Sequence, residues 1–312
     1  MKYGITKTTF SSPGSVEINK NEYEKIRDAR ENLFETLFLE EKFDLVAENY
    51  YEYETELLSI ASRMMVFHDD DYFSMGDERN LVGRRIANLM SACRLYLDQS
   101  SHHLNKIYKD IPDVAAEIEI EKSKKYDSVL GYRVMEALRN YTQHRGFPIH
   151  TVRFSSKRVG GIENYQLLHN VIPLLKPFAL AEDGKFKKSI LNELLEIQND
   201  EYVDIRPLLR EYIEAIGKLH ELIREKMKLD VQNWEEILNK VFDRFKEKFG
   251  ADTSLVGLAI VIENEVGKWE EHKTIFSEFI EKRKKLELKN RFFNNLHKKS
   301  ASNEVFQKKE NS

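Results

Sequence analysis

Cysteine is nearly absent from this chain of 312 residues: Cys93 stands alone. An intrachain disulfide and a zinc site built from several cysteines are therefore excluded. Cys93 lies in an apolar helical pattern and is expected to be a small buried side chain. Proline and glycine are also scarce, with 6 and 13 copies. The two residue types that most often interrupt regular structure are thus few, and long unbroken elements are expected. No long apolar run exists. The best stretch, 255–262, is interrupted by Gly257 and is too short to span a membrane as a helix. The first twenty or so residues hold no apolar segment of the kind a secretory signal needs. The expectation is a cytoplasmic protein without membrane contact. No convincing set of metal ligands is visible, and no cofactor is expected.

Acidic residues are missing from one place in particular. The formal net charge is −4, which does not advertise a nucleic-acid binder. Charge distribution matters more than the total. Residues 139–162 contain no Asp or Glu, while Arg139, Arg145, Arg153, Lys157 and Arg158 are all basic. A second basic block, 282–299, has eight Lys/Arg and one acid, Glu287. It reads as a solvated charged face or as a contact for RNA.

What is present is mostly helical pattern. Residues 1–19 read as irregular, with a Ser/Pro/Gly turn cluster at 11–15. A helix is expected over about 21–67, with Val46, Tyr50, Tyr53, Leu57, Ile60 and Met64 on one face. His68-Asp69-Asp70-Asp71 reads as a connecting loop, and Ser74 with Asp77 as a capping box opening a helix over about 77–108. Pro112 fits the first turn of a helix over about 113–124. Ser128 is the expected N-cap of the next one. That helix turns Gly131, Val134, Leu138 and Tyr141 inward, and Gly146 and Pro148 stop it. These four antiparallel helices form a bundle over residues 20–150. Residues 151–300 read as a mixed region. It has a β-hairpin over 150–172, helices at about 185–198, 204–228 and 231–249, a second hairpin over 255–276, and a last helix over 278–297. A polar, disordered tail occupies 301–312.

The chemistry gathers at the end of the fourth helix, in Arg139-Asn140-Tyr141-Thr142-Gln143-His144-Arg145. A helix advances about 100° per residue, so Asn140 and His144 share a face, about 40° apart. Arg139 and Gln143 form a second such pair. Arg139 and His144 stand roughly 140° apart and would splay on one regular helix. They converge only if the helix loosens before Gly146 or if two copies share the site. The residue types suit phosphodiester cleavage. Histidine takes or gives a proton near neutrality. Arginine offers a permanent, planar charge to phosphate oxygens. RNA brings its own nucleophile, the 2′-hydroxyl.

The string Arg139-Asn140-Tyr141-Thr142-Gln143-His144 resembles the R-x4–6-H signature of HEPN domains, including the polar residue that often follows the arginine. Its position late in a helical bundle is also similar. The resemblance covers about residues 20–150. It implies a mainly α, HEPN-like bundle that pairs as a homodimer around a composite cleft. It further implies metal-independent cleavage of RNA to a 2′,3′-cyclic phosphate, in a setting such as a toxin or antiphage defence with a cognate regulator or antitoxin. On that reading Arg139, Asn140 and His144 are catalytic, and Gln143, Arg145, Arg153, Lys157 and Arg158 bind RNA. The alternatives are a non-catalytic module that binds RNA, nucleotide or protein, and a plain helix end whose Arg and His cap the last carbonyls. His102-His103 and Gly160-Gly161 lack the spacing of a metal or phosphate site.

Overall fold

The computed structural model describes residues 1–9, 13–67, 72–160, 165–182 and 184–301. The chain is mainly helical, with two small antiparallel sheets. Two long helices dominate it: α1 (Lys20–Phe67, 48 residues) and α7 (Ile205–Phe249, 45 residues). At a rise of 1.5 Å per residue each extends about 70 Å.

Three helices follow α1. They are α2 (Tyr72–Ile107), α3 (Pro112–Ser128) and α4 (Leu130–His144). The first hairpin of the later half pairs β3 (Thr151–Gly160) with β4 (Tyr165–Leu175), then α5 (Pro177–Glu182) and α6 (Lys188–Ile197) lead to α7. The short strand β5 (Val203–Asp204) adds to β4 and completes a sheet of order β3-β4-β5. The other sheet joins residues 2–18 to residues 258–274. Its strands β1 (Lys2–Lys7), β2 (Ser15–Ile18), β6 (Leu258–Glu263) and β7 (Trp269–Thr274) lie in the order β2-β1-β6-β7. Helix α8 (Glu278–Lys289) then crosses α1, and one 3-10 turn at Leu296–Lys298 returns to α7.

Burial explains why α1 and α7 are so long. The second half of α1 (Phe43, Val46, Tyr53, Ile60) shares a core with α2, α4, α6 and the first half of α7 (Leu209, Tyr212, Ile216). The first half of α1 (Tyr23, Ile26, Leu33) shares another core with the four-stranded sheet and the second half of α7 (Leu238, Phe242, Phe245). The two helices therefore run antiparallel and each serves both cores. Residue 150 is not a break in this packing, because α7 contributes to the same core as α1, α2 and α4.

Several sequence expectations change. Residues 2–7 and 15–18 are strands rather than irregular chain. Ile5, Val16 and Ile18 alternate inward, and β1 sits in the middle of its sheet. Helix α2 starts at Tyr72, so Ser74 lies inside it rather than at its start. Ser128 ends α3, its hydroxyl donating to the Lys124 carbonyl at 2.7 Å, and Val129 occupies the N-cap of α4. The helices read at 204–228 and 231–249 are one helix. Met227 and Val231 pack on a third cluster around Leu39 and Ile107, and Tyr108 donates to Asp230 at 2.6 Å, so nothing breaks the turn at Leu229. The last helix stops at Lys289. Asn290 is buried, donates to Asp44 at 2.7 Å and turns the chain, while Phe293 packs closely over Gly217. No helix among the described residues is long and apolar enough to cross a membrane. Residues 10–12, 68–71, 161–164, 183 and 302–312 lie outside the described residues, and with them part of the expected turn cluster at 11–15, the expected loop at 68–71, Gly161 and the expected polar tail.

Four cations of the basic C-terminal block, Lys282, Arg283, Lys284 and Lys289, are paired with acids of this chain. Lys282 pairs with Glu41, and Lys289 with Asp44 at 2.7 Å and with Glu48. Arg283 and Lys284 both reach Glu235 at 2.7 Å. These contacts strap α8 across α1 and α7. They leave less of the block for an external polyanion than its composition suggests.

Candidate functional site

Helix α4 presents a buried face of Gly131, Val134, Met135 and Leu138 to the core. Gly131 is required by proximity: a Cβ there would lie 2.2 Å from the Leu208 carbonyl oxygen of α7. That close crossing fixes how far the far end of α4 projects. At this end the helix stays regular through His144. The Arg145 amide donates to the Tyr141 carbonyl at 2.8 Å, and the Gly146 amide reaches the same oxygen at 3.4 Å. Gly146 does not adopt a left-handed cap. It makes room for the Tyr141 ring, whose hydroxyl would sit 2.5 Å from a Cβ at that position. Phe147 then seats on Gly83 of α2, where a Cβ would meet its ring at 2.0 Å.

An open cleft of about 420 Å³ lies beside this helix end. Asn140, His144 and Arg145 form one wall; Lys185, Phe186 and Lys187 form the other. Asn140 and His144 share it because they are four residues apart. Lys187 donates to the Tyr126 hydroxyl at 3.0 Å, which holds its ammonium group at the rim. Glu136 also lines the cleft, but its carboxylate accepts from Tyr212 at 2.6 Å and from Arg94 at 3.4 Å. The cleft therefore combines three permanent cations, a histidine and an amide with one carboxylate that is already paired.

Arg139 is not among the residues that line the cleft. It is half-buried behind the wall, and its Nη1 donates to the Asn140 Oδ1 at 3.2 Å. Its Nε is buried and has no hydrogen-bond partner among the described residues. Such an orphaned donor on a charged group is uncommon in folded proteins. The helix does not loosen before Gly146, so that route to joining Arg139 with His144 is closed. Gln143 is exposed on the Arg139 side. Arg153 stands 5.9 Å from the Tyr202 ring centre, and Lys157 and Arg158 lie on the outer half of the β3–β4 hairpin. These three are not in the cleft. They belong to the element that leaves it.

His150 sits at the root of that hairpin. Burial, together with the charges of Lys176 and Arg79, lowers its pKa from the ordinary imidazole value. Its Nδ1 accepts from the Lys176 amide at 3.2 Å, as a neutral ring requires.

Sequence reasoning missed Lys185 and Lys187, which reach the cleft only after a hairpin and a short helix. It also missed a buried ionic cluster between α1, α7 and α8. Ten polar or charged side chains are buried among the described residues, and six of them (Thr36, Glu40, His220, Glu235, Arg283, Asn290) line one cavity of about 550 Å³. There His220 stacks on Phe43 with ring centres 4.0 Å apart. Tyr96 and Glu40 bond its two nitrogens at 2.9 and 3.2 Å. Arg224 holds both Glu40 oxygens, at 2.8 and 2.5 Å. Burial alone would raise the Glu40 carboxyl, but His220 and Arg224 outweigh it and hold it at about 2. These bonds clamp α1, α2 and α7 together through Glu40, Tyr96, His220 and Arg224, while the Nε of Arg283 in the same cavity is buried without a partner among the described residues. Residues 40 and 220 carry no local signal of each other.

No protein-family model matches the chain, and neither a curated protein nor a solved structure gives a match. The functional reading therefore stands on the site itself.

Proposed function

We propose that the protein is a metal-independent endoribonuclease of the HEPN-like kind, with its site at the end of α4. One observation carries the reading. The Arg-Asn-x-x-x-His string ends on an open basic cleft, with Asn140, His144 and Arg145 facing Lys185 and Lys187.

In this reaction His144 takes the proton of a ribose 2′-hydroxyl. The 2′-oxygen bonds to phosphorus and the bond to the 5′-oxygen breaks. A proton from solvent water delivered to that oxygen releases a 5′-hydroxyl end and leaves a 2′,3′-cyclic phosphate. Arg139 supplies charge to the phosphate in the transition state, where a preorganised donor matters most. Asn140 ties Arg139 to the cleft wall. Arg145, Lys185 and Lys187 attract the backbone. Because the helix is regular, Arg139 and His144 of one chain diverge. The site is completed by a second copy, whose Arg139 faces the first chain's His144.

The position of Arg139 behind the wall favours a second reading, a module that binds RNA without cleaving it. Incubating the protein with labelled RNA in excess EDTA separates the two. The nuclease reading expects cleavage with cyclic phosphate ends, reduced at least about a hundredfold by Arg139→Ala and by His144→Ala. Inert wild-type protein that still binds RNA, or cleavage by both variants at the wild-type rate, overturns it.

A further inference from the structure

The β3–β4 hairpin outgrows the body it is rooted in. Its inner half is packed: Phe154 and Val171 face each other across the strands and join the main core. Its outer half, residues 156–160 and 165–168, is exposed on both faces except at Gln166, which is partly covered. Leu167 is 50% exposed, Tyr165 45% and Leu168 43%. A two-stranded ribbon is marginal in water unless something covers it. Exposed apolar side chains in a continuous patch mark a contact surface.

The register sorts this surface. Directly paired residues point to the same face. Arg158 pairs with Leu167 and Gly160 with Tyr165 on one face; Lys157 pairs with Leu168 on the other. On the first face the Arg158 guanidinium lies 4.5 Å from the centre of the Tyr165 ring. One step inward, Ser156 and the His169 Nδ1 are hydrogen-bonded at 3.0 Å. Each face thus carries a cation beside an exposed apolar or aromatic side chain.

Charge selects the occupant. Between Arg139 and Ala181 the sequence has a single acid, Glu163. A second copy of the arm laid against this one would set Arg153, Lys157 and Arg158 among their own likenesses, and like charges opposed across strands are destabilising. A polyanion meets no such cost. The apolar and aromatic groups select further, because a duplex hides the faces of its bases while a single strand offers them for stacking. The arm is also joined to both cleft walls along the chain: strand β3 begins just past Arg145 on one wall, and β4 leads through α5 to Lys185 and Lys187 on the other.

We infer that the outer β3–β4 hairpin is a docking arm for single-stranded RNA, with the Arg158–Tyr165 pair as a base-stacking platform and Lys157 and Arg158 on the backbone. The inference rests on the nuclease reading for its substrate class, and it concerns binding alone.

The test uses the full chain carrying His144→Ala, so that cleavage does not interfere. Fluorescence anisotropy is measured with a labelled single strand of about 12 nucleotides and with the matching duplex. Tyr165→Ala is expected to weaken single-strand binding about tenfold, and Tyr165→Phe to stay within about twofold of the parent. Lys157→Ala is expected to reduce the slope of log affinity against log salt by about one. The duplex is expected to bind at least about tenfold more weakly. Thermal unfolding checks that each variant is folded. Unchanged affinity in Tyr165→Ala overturns the inference, as does a duplex bound as tightly as the single strand. So does a Leu167→Ser, Leu168→Ser variant that turns a dimer into a monomer and leaves RNA binding intact, since the arm is then a contact between copies. Single-strand binding through Tyr165 with no cleavage by the wild type would instead remove the nuclease reading and leave the arm standing.

Discussion

Gly131 shows how little room the site's foundation has. A methyl group there meets the Leu208 carbonyl and Glu211, the latter's carboxylate accepting from the Gly131 amide at 3.0 Å. Gly131→Ala is expected to cost about 1–3 kcal/mol, because backbone must move to admit it. Denaturant unfolding measures this, and a variant as stable as the parent contradicts the close crossing. Glu40 gives a second residue-scale outcome. Its carboxyl is held at about 2 against an ordinary 4.5, so between those values the unfolded chain binds the extra proton. The stabilisation is complete above about pH 4.5 and is lost as pH falls toward 2. Circular dichroism during acid unfolding should show a shallower loss over this window for Glu40→Gln than for the parent. Equal slopes contradict the clamp. The spacing of Asn140 and His144 was legible in the sequence because both lie on one helix. The pairing of Glu40 with His220 and Arg224 was not, because it depends on how two helices far apart in the chain come together.

Helix α7 links the site to the rest of the molecule. Its first half holds α4 in place, and its second half supports the four-stranded sheet. Leu229 lies between them, exposed on the surface of an unbroken helix. Leu229→Pro removes a backbone donor and kinks the helix there, at an expected cost of about 3 kcal/mol or more. Thermal unfolding should show one lowered transition involving both cores. An unchanged midpoint would mean that α7 is two helices, at about 204–228 and 231–249, as expected from the sequence. The longest element legible without coordinates was α1, whose apolar stripe repeats without interruption. Strands β1 and β2 escaped because each is short and β1 pairs on its other side with β6, which arrives more than two hundred residues later.

The described residues form two large cores and a smaller third cluster strung along two antiparallel helices, with a basic cleft beside the end of α4 and an arm rooted next to it in the chain. Arg139 and His144 sit on opposite sides of one regular helix, so the account requires two chains to bring them together. Mixing Arg139→Ala with His144→Ala protein, each inactive alone, forms mixed dimers that hold one intact Arg139 and one intact His144 in different chains. RNA cleavage in EDTA is then expected to return to a substantial fraction of the wild-type rate. A mixture that exchanges subunits and stays as inactive as its components would contradict a site shared between copies.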